Sequence, residues 1–156
     1  MGKGGDFMIK KETVTKADLL KVLDLMETSG MRYWLDGGWG VDVLLGKQTR
    51  EHRDVDINFD ARYTDALLRT LVSHGYEITT DWRPVRIELC HPELSYVDIH
   101  PFVINEDGTA KQADLEGGWY EFEPEYFGSA EFEGRTVPCI SAIGQKIFHT
   151  GYELRE

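Results

Sequence analysis

The chain has 156 residues, 41% of them hydrophobic and 29% charged, with a formal net charge of −11. That size suits one domain with its own core, and the composition excludes a disordered or low-complexity chain. No run approaches the roughly 18 apolar residues of a membrane span, and an acidic surface without a Lys/Arg stripe disfavours nucleic acid while attracting small cations such as amines.

The opening MGKGGDFMIKK lacks the apolar stretch of a secretory signal, and Asp6 stands where N-myristoylation needs Ser or Thr. Residues 1–10 are therefore expected to form a loose tail. Cys90 and Cys139 sit in no CxxC pattern and make no disulfide framework, so they read as reduced side chains in or near the core. A cytoplasmic location is expected.

From residue 15 to 29, Leu19, Val22, Leu23 and Met26 recur at helical spacing, with Thr15 and Asp18 as a capping box and Gly30 as the stop. A short buried strand over 32–35 leads into Asp36-Gly37-Gly38. Adjacent glycines let backbone approach a ligand without a Cβ in the way. A helix over 39–45 begins directly after them, so its free N–H groups face the turn and can bind an anion. The loop over 46–53 is cationic, with Lys47, Arg50, His52 and Arg53.

The next strand, 54–59, alternates Asp54, Asp56 and Asn58 on one face with Val55, Ile57 and Phe59 on the other. Two carboxylates about 7 Å apart along a strand can converge on one site. Side by side they are costly unless a cation or proton lies between them, and an all-oxygen set suits magnesium.

A second helix follows from Tyr63, Leu67, Leu68, Leu71 and Val72 and stops at Gly75. Strands are predicted over 77–80, 85–90 and 96–103. In the second, Arg86, Glu88 and Cys90 share a face; in the third, Asp98 and His100 do. If the third strand pairs beside the 54–59 strand, three carboxylates meet, but spacing gives strand faces and not strand order. A lone His before Pro101 more often satisfies a local hydrogen bond than binds a ligand, and no pair among His52, His74, His91, His100 and His149 has zinc-site spacing.

Residues 105–108 form a turn signal closing a hairpin along 110–114. Gly117-Gly118-Trp119-Tyr120, then Phe122, Tyr126 and Phe127, show no clear period, and core packing is the commoner fate of such aromatics. Glu133-Gly134-Arg135 reads as a turn between two short strands, and Ser141 caps a last helix over 142–152 with Ile143, Ile147 and Phe148 buried. Without a repeat or linker, residues 1–156 read as one domain.

The run GGWGVDVLLGKQTREHRDVDI resembles the antibiotic nucleotidyltransferases of the polymerase β-like superfamily. The small lincosamide nucleotidyltransferases are matched through YWLDGGWGVDVL, GKQTREHRDVDI, YVDIHPF, QADLEGGWY and VPCIS…FHTGY. Aminoglycoside 2″-nucleotidyltransferases share the Gly-Gly and Asp-x-Asp core but resemble the later segments less. The resemblance implies an α+β nucleotidyltransferase fold, a mixed sheet flanked by helices, and often a homodimer. It implies AMP transfer from ATP, with one or two magnesium ions, to a hydroxyl of a small cationic antibiotic such as lincomycin or clindamycin. Asp54 and Asp56 would be metal ligands, and Asp98 a third ligand or the base. Gly37, Gly38, Arg50 and His52 would hold the triphosphate.

Glu88 is the alternative base. Trp82, Arg86, Glu88, His100, Trp119 and Tyr120 are acceptor-site candidates from their expected positions near strand ends. Two rivals are an aminoglycoside enzyme of the same chemistry and a non-catalytic or toxin–antitoxin relative. The last would be expected to have lost Gly37-Gly38 or an Asp, and neither is lost.

Overall fold

Thr15 Oγ1 accepts from the Asp18 N–H at 3.2 Å while Asp18 Oδ2 accepts from the Thr15 N–H at 3.0 Å. This reciprocal cap, worth about 1 kcal/mol, opens helix α1 (Lys16–Ser29), which Gly30 ends at φ 75°. The computed structural model describes residues 12–146. Strand β1 (Tyr33–Asp36) runs directly into helix α2 (Gly37–Leu45). The helix thus begins two residues before the predicted start at residue 39, because the Asp36 carboxylate accepts from the Gly37 N–H at 2.8 Å and caps it at once. The two glycines are its first turn and not a loop before it.

Strand β2 (Asp54–Asp60), a 3-10 turn and helix α3 (Thr64–Ser73) follow as the periodicity predicts. Strands β3 (Glu77–Trp82), β4 (Arg86–His91) and β5 (Ser95–Ile104) take the three predicted places, with β3 and β5 each two residues longer. Strand β6 (Ala110–Ala113) folds back on β5, and an unpredicted strand β7 (Trp119–Phe122) pairs with β6. Three of the four β7 residues are exposed, so this edge strand carries no alternating pattern to read. Strands β8 (Phe127–Phe132) and β9 (Arg135–Ile140) flank the predicted turn. Residues 142–146 are helical, but Ile143, predicted to be buried, is exposed; the remainder of the predicted last helix, with Ile147 and Phe148, lies outside the described residues, as do the N-terminal tail and His149.

The nine-stranded sheet runs β3-β4-β5-β2-β1-β9-β8, with β6 and β7 extending from β5. It is mixed: β2–β5 and β1–β9 are parallel, the other pairs antiparallel. Val55, Ile57 and Phe59 of β2, Val97 and Ile99 of β5 and Ile87 and Leu89 of β4 join one core with Leu19, Leu23, Trp39, Val43, Leu67 and Leu71 of the helices. Strand residues of the other parity are left on the opposite face, where a smaller cluster of Phe102, Ala110 and Phe122 closes one end. Cys90 and Cys139 are buried and free. Among the described residues no helix is long and apolar enough to cross a membrane.

Tyr76 is 3% exposed, and its hydroxyl finds no hydrogen-bond partner among the described residues. Leaving a buried hydroxyl unsatisfied costs about 1–3 kcal/mol. Tyr76→Phe is therefore expected to raise stability by about 1 kcal/mol, read as a higher urea midpoint at unchanged slope; a lower midpoint would show the hydroxyl in use.

Candidate active site

Strand register builds the site. Asp36 of β1 stands opposite Asp56 of β2, Asp56 opposite Asp98 of β5, and Asp98 opposite Glu88 of β4. One carboxylate from each of four adjacent strands thus forms a row across the polar face. Spacing left the pairing of β2 with β5 open; the fold makes it, parallel and with Asp56 level with Asp98.

Burial, and after it the charges of Asp56 and Asp98, push the Asp54 carboxyl up to about 6, against the pull of Arg53. Burial also raises Asp98, with His100 and Arg86 pulling it back. Asp36 is raised by burial too, although the Asn58 side chain and the Gly37 N–H both donate to it. Such crowded acids require cations, and the chain supplies several. The Arg86 Nε–H is shared between both Asp98 oxygens at 3.1 and 3.0 Å. His100 Nε2 lies 3.2 Å from Asp56 Oδ1 and 3.7 Å from Asp98 Oδ2. Burial works against the imidazolium, but the Asp56 hydrogen bond and the charges of Asp98, Asp56 and Asp36 outweigh it and raise His100. Arg53 Nη1 reaches Glu88 at 3.3 Å and Asp54 at 3.6 Å.

Ligand atoms of Asp56, Asp98 and His100 all lie within 4.8 Å of one another, the one such group among the described residues. Asp54, expected as a metal ligand, stands beside this group and not in it. Its carboxylate faces Arg53.

The two glycines serve different neighbours. A Cβ on Gly37 would lie 2.0 Å from Asp56 Oδ2, and Gly37 has φ +64°. A Cβ on Gly38 would lie 2.4 Å from His52 Nδ1 and 3.1 Å from Arg50 Nη2. The space that glycine frees is therefore taken by the chain's own Asp56, His52 and Arg50, which gather around the first turn of α2. His52 is 5% exposed, far from the solvated loop position its sequence context suggests. Its Nε2 is 2.6 Å from Asp42 Oδ2, and its ring packs 4.8 Å from Trp39. Burial would raise Asp42, but hydrogen bonds from Thr49 and His52 prevail and hold it below the usual carboxylate range.

The acceptor candidates flank the row. Trp82 is half-exposed under the Arg86 guanidinium, 4.8 Å from the ring centre, and Trp119 lies under Lys111 at 4.7 Å. Tyr120 pairs across the hairpin with Gln112, whose Nε2 donates to Val85 O and approaches His100 Nδ1, each at 3.3 Å. Gln112 thereby ties the β6–β7 hairpin to the carboxylate row. Glu88 is held by Thr79 Oγ1 at 2.8 Å and by Arg53.

Sequence reading passed over Asp36, Asp42, Gln112 and Gln145. Asp36 follows the same strand alternation that singled out Asp56, which is the signal that was available. Gln145 Nε2 donates to Asp36 Oδ1 at 3.2 Å from about a hundred residues away, a contact no local pattern encodes.

A mixed sheet with Asp-x-Asp on a strand beside a glycine first turn defines a nucleotidyltransferase. The aminoglycoside-2''-adenylyltransferase family matches residues 18–156, and the chain belongs to it. A lincosamide resistance protein of Staphylococcus haemolyticus is 49% identical over 148 residues, covering 95% of this chain and 92% of the relative. Among solved structures, the lincomycin-bound lincosamide antibiotic adenylyltransferase LnuA superposes with a TM-score of 0.83 at 50% identity, covering 90% of this chain and 89% of that one. ANT(2'')-Ia in complex with adenylyl-2''-tobramycin shares the fold at a TM-score of 0.67 and 22% identity, over 89% of this chain and 78% of its own. The motif resemblance to the small lincosamide nucleotidyltransferases thus holds over most of the chain.

Proposed function

We propose that this protein transfers AMP from ATP to a hydroxyl of a lincosamide such as lincomycin or clindamycin, releasing pyrophosphate and inactivating the drug. The observation that carries the chemistry is the in-register pairing of Asp56 with Asp98 beside the first turn of α2. Lincosamide as the acceptor rests on the likeness to the two lincosamide proteins across nearly the whole chain.

Magnesium fits the oxygen donors of Asp56 and Asp98, with Asp54 beside them, since burial and its neighbours' charges oppose Asp54 ionisation unless a cation is present. When bound, it would offset phosphate charge during an in-line displacement. The chain's own residues do the rest. The free N–H groups of the α2 first turn, with Arg50 and His52, hold the triphosphate. Asp98, its pKa raised by burial, takes the proton from the attacking hydroxyl. Glu88, level with Asp98 on the neighbouring strand and held by Thr79 and Arg53, is the alternative base. Trp82, Arg86, Trp119 and Tyr120 offer a wall to a cationic acceptor, with Glu88 and His100 at its base. The chain acts as one nucleotidyltransferase unit in the cytoplasm, and homodimer formation accords with the family resemblance.

Pyrophosphate release measured with ATP and lincomycin, clindamycin or kanamycin in turn tests the reading. Turnover with either lincosamide and little with kanamycin is expected. Turnover confined to kanamycin would favour the aminoglycoside reading, which the family's name supports. No turnover with any of the three would remove the catalytic assignment.

A further inference from the structure

Arg50 is exposed in a chain of net charge −11, and among the described residues its guanidinium makes no hydrogen bond or ion pair. It nevertheless stands 3.1 Å from where a Gly38 Cβ would be, beside His52 Nδ1, which also has no partner among the described residues. Both side chains belong to the connection between α2 and β2, a stretch without regular structure of its own. Something must hold that connection in place.

The Val14 N–H holds the His52 carbonyl at 2.7 Å and the Gln48 side chain the Arg50 carbonyl at 2.9 Å, and a single carboxylate ties the side chains of the connection to α2. Asp42, on α2 and 1% exposed, accepts the Thr49 N–H at 2.8 Å and lies 2.6 Å from His52 Nε2, both through Oδ2. Its Oδ1 accepts the Thr49 hydroxyl at 2.6 Å. The Asp42 backbone carbonyl also accepts from the Lys47 N–H at 3.2 Å. Asp42 therefore pins residues on both sides of Arg50. An ionised carboxylate only accepts hydrogen bonds, so the proton of the facing imidazole nitrogen lies on Nε2. Nδ1 is the nitrogen turned to Gly38, and it donates to a phosphate oxygen only in the imidazolium form.

We propose that Asp42 is a positioning residue for nucleotide binding, clasping Thr49 and His52 so that Arg50 and His52 are preset over the first turn of α2. This rests on the reading above that Arg50 and His52 hold the triphosphate. Asp42 itself touches neither substrate nor metal ligand. It acts through the loop, replacing the ordering that a free loop would undergo each time nucleotide binds.

The test is a double-mutant cycle on binding of a non-hydrolysable ATP analogue with magnesium, by calorimetry and without acceptor. Arg50→Ala alone is expected to weaken binding about 10-fold or more, and Asp42→Asn comparably, since misplaced charge loses most of its effect. In the double variant Arg50→Ala should cost little further, because Arg50 is already misplaced. Thr49→Val, which removes one hydrogen bond and keeps the backbone contact, should give a smaller loss and serves if Asp42→Asn folds poorly. The KM for ATP should rise with little change in kcat at saturation. Additive losses in the double variant, or in Thr49→Val with Arg50→Ala if that pair replaces it, would overturn the inference while leaving the nucleotide site intact. No loss from Arg50→Ala or His52→Ala would instead remove the triphosphate assignment on which it rests.

Discussion

Asp56→Asn is expected to lower adenylylation by about 10³-fold or more while leaving the unfolding midpoint unchanged or higher. Asp56 is the centre of the row: Asp36 and Asp98 are its cross-strand neighbours, and His100 is within hydrogen-bond reach. The amide keeps the shape but removes the charge on which a magnesium ion between Asp56 and Asp98 would depend. Stability holds or rises because the loss of one of several like charges on adjacent strands offsets the weakened pairing with His100. Product formation by mass spectrometry and thermal unfolding on the same preparations read both arms. An active Asp56→Asn enzyme would show that the metal site has been misplaced.

Gly37→Ala separates geometry from charge. The new Cβ would fall 2.0 Å from Asp56 Oδ2 and 2.9 Å from its Cγ, at φ +64°. The left-handed backbone alone costs about 1–2 kcal/mol. The clash must then drive the Asp56 carboxylate out of the row. Activity is expected to fall about 10²-fold or more, together with a loss of stability. Gly30→Ala is the control: Gly30 has φ +75° but nothing within 4 Å of the added Cβ. It should lose stability by about 1–2 kcal/mol and keep its activity. Equal activity losses in the two variants would mean that Gly37 matters only for helix capping.

Much of this architecture can be read from residues alone, because it is local. The capping box at Thr15 and Asp18 and the stop at Gly30 declare α1. Alternation over 54–59 declares which β2 side chains meet the core, and Val55, Ile57 and Phe59 are all fully buried. The Gly-Gly and Asp-x-Asp pair, set in the longer run GGWGVDVLLGKQTREHRDVDI, carries the resemblance to the nucleotidyltransferases. The exposed edge strand β7 had no such period, since neither face is buried along most of it.

Assembly of the row was decided by the sheet. Period-2 alternation tells which face a carboxylate takes, and says nothing about which strand lies beside it. Only the order β4-β5-β2-β1 and its register bring Glu88, Asp98, Asp56 and Asp36 level with one another. Likewise, a His in a basic loop looks solvated until Asp42 and Trp39 are seen to enclose it. Chain-local forces set the helices, the turns and the face of each strand; long-range pairing, which has no short sequence signature, set the distances on which the chemistry depends.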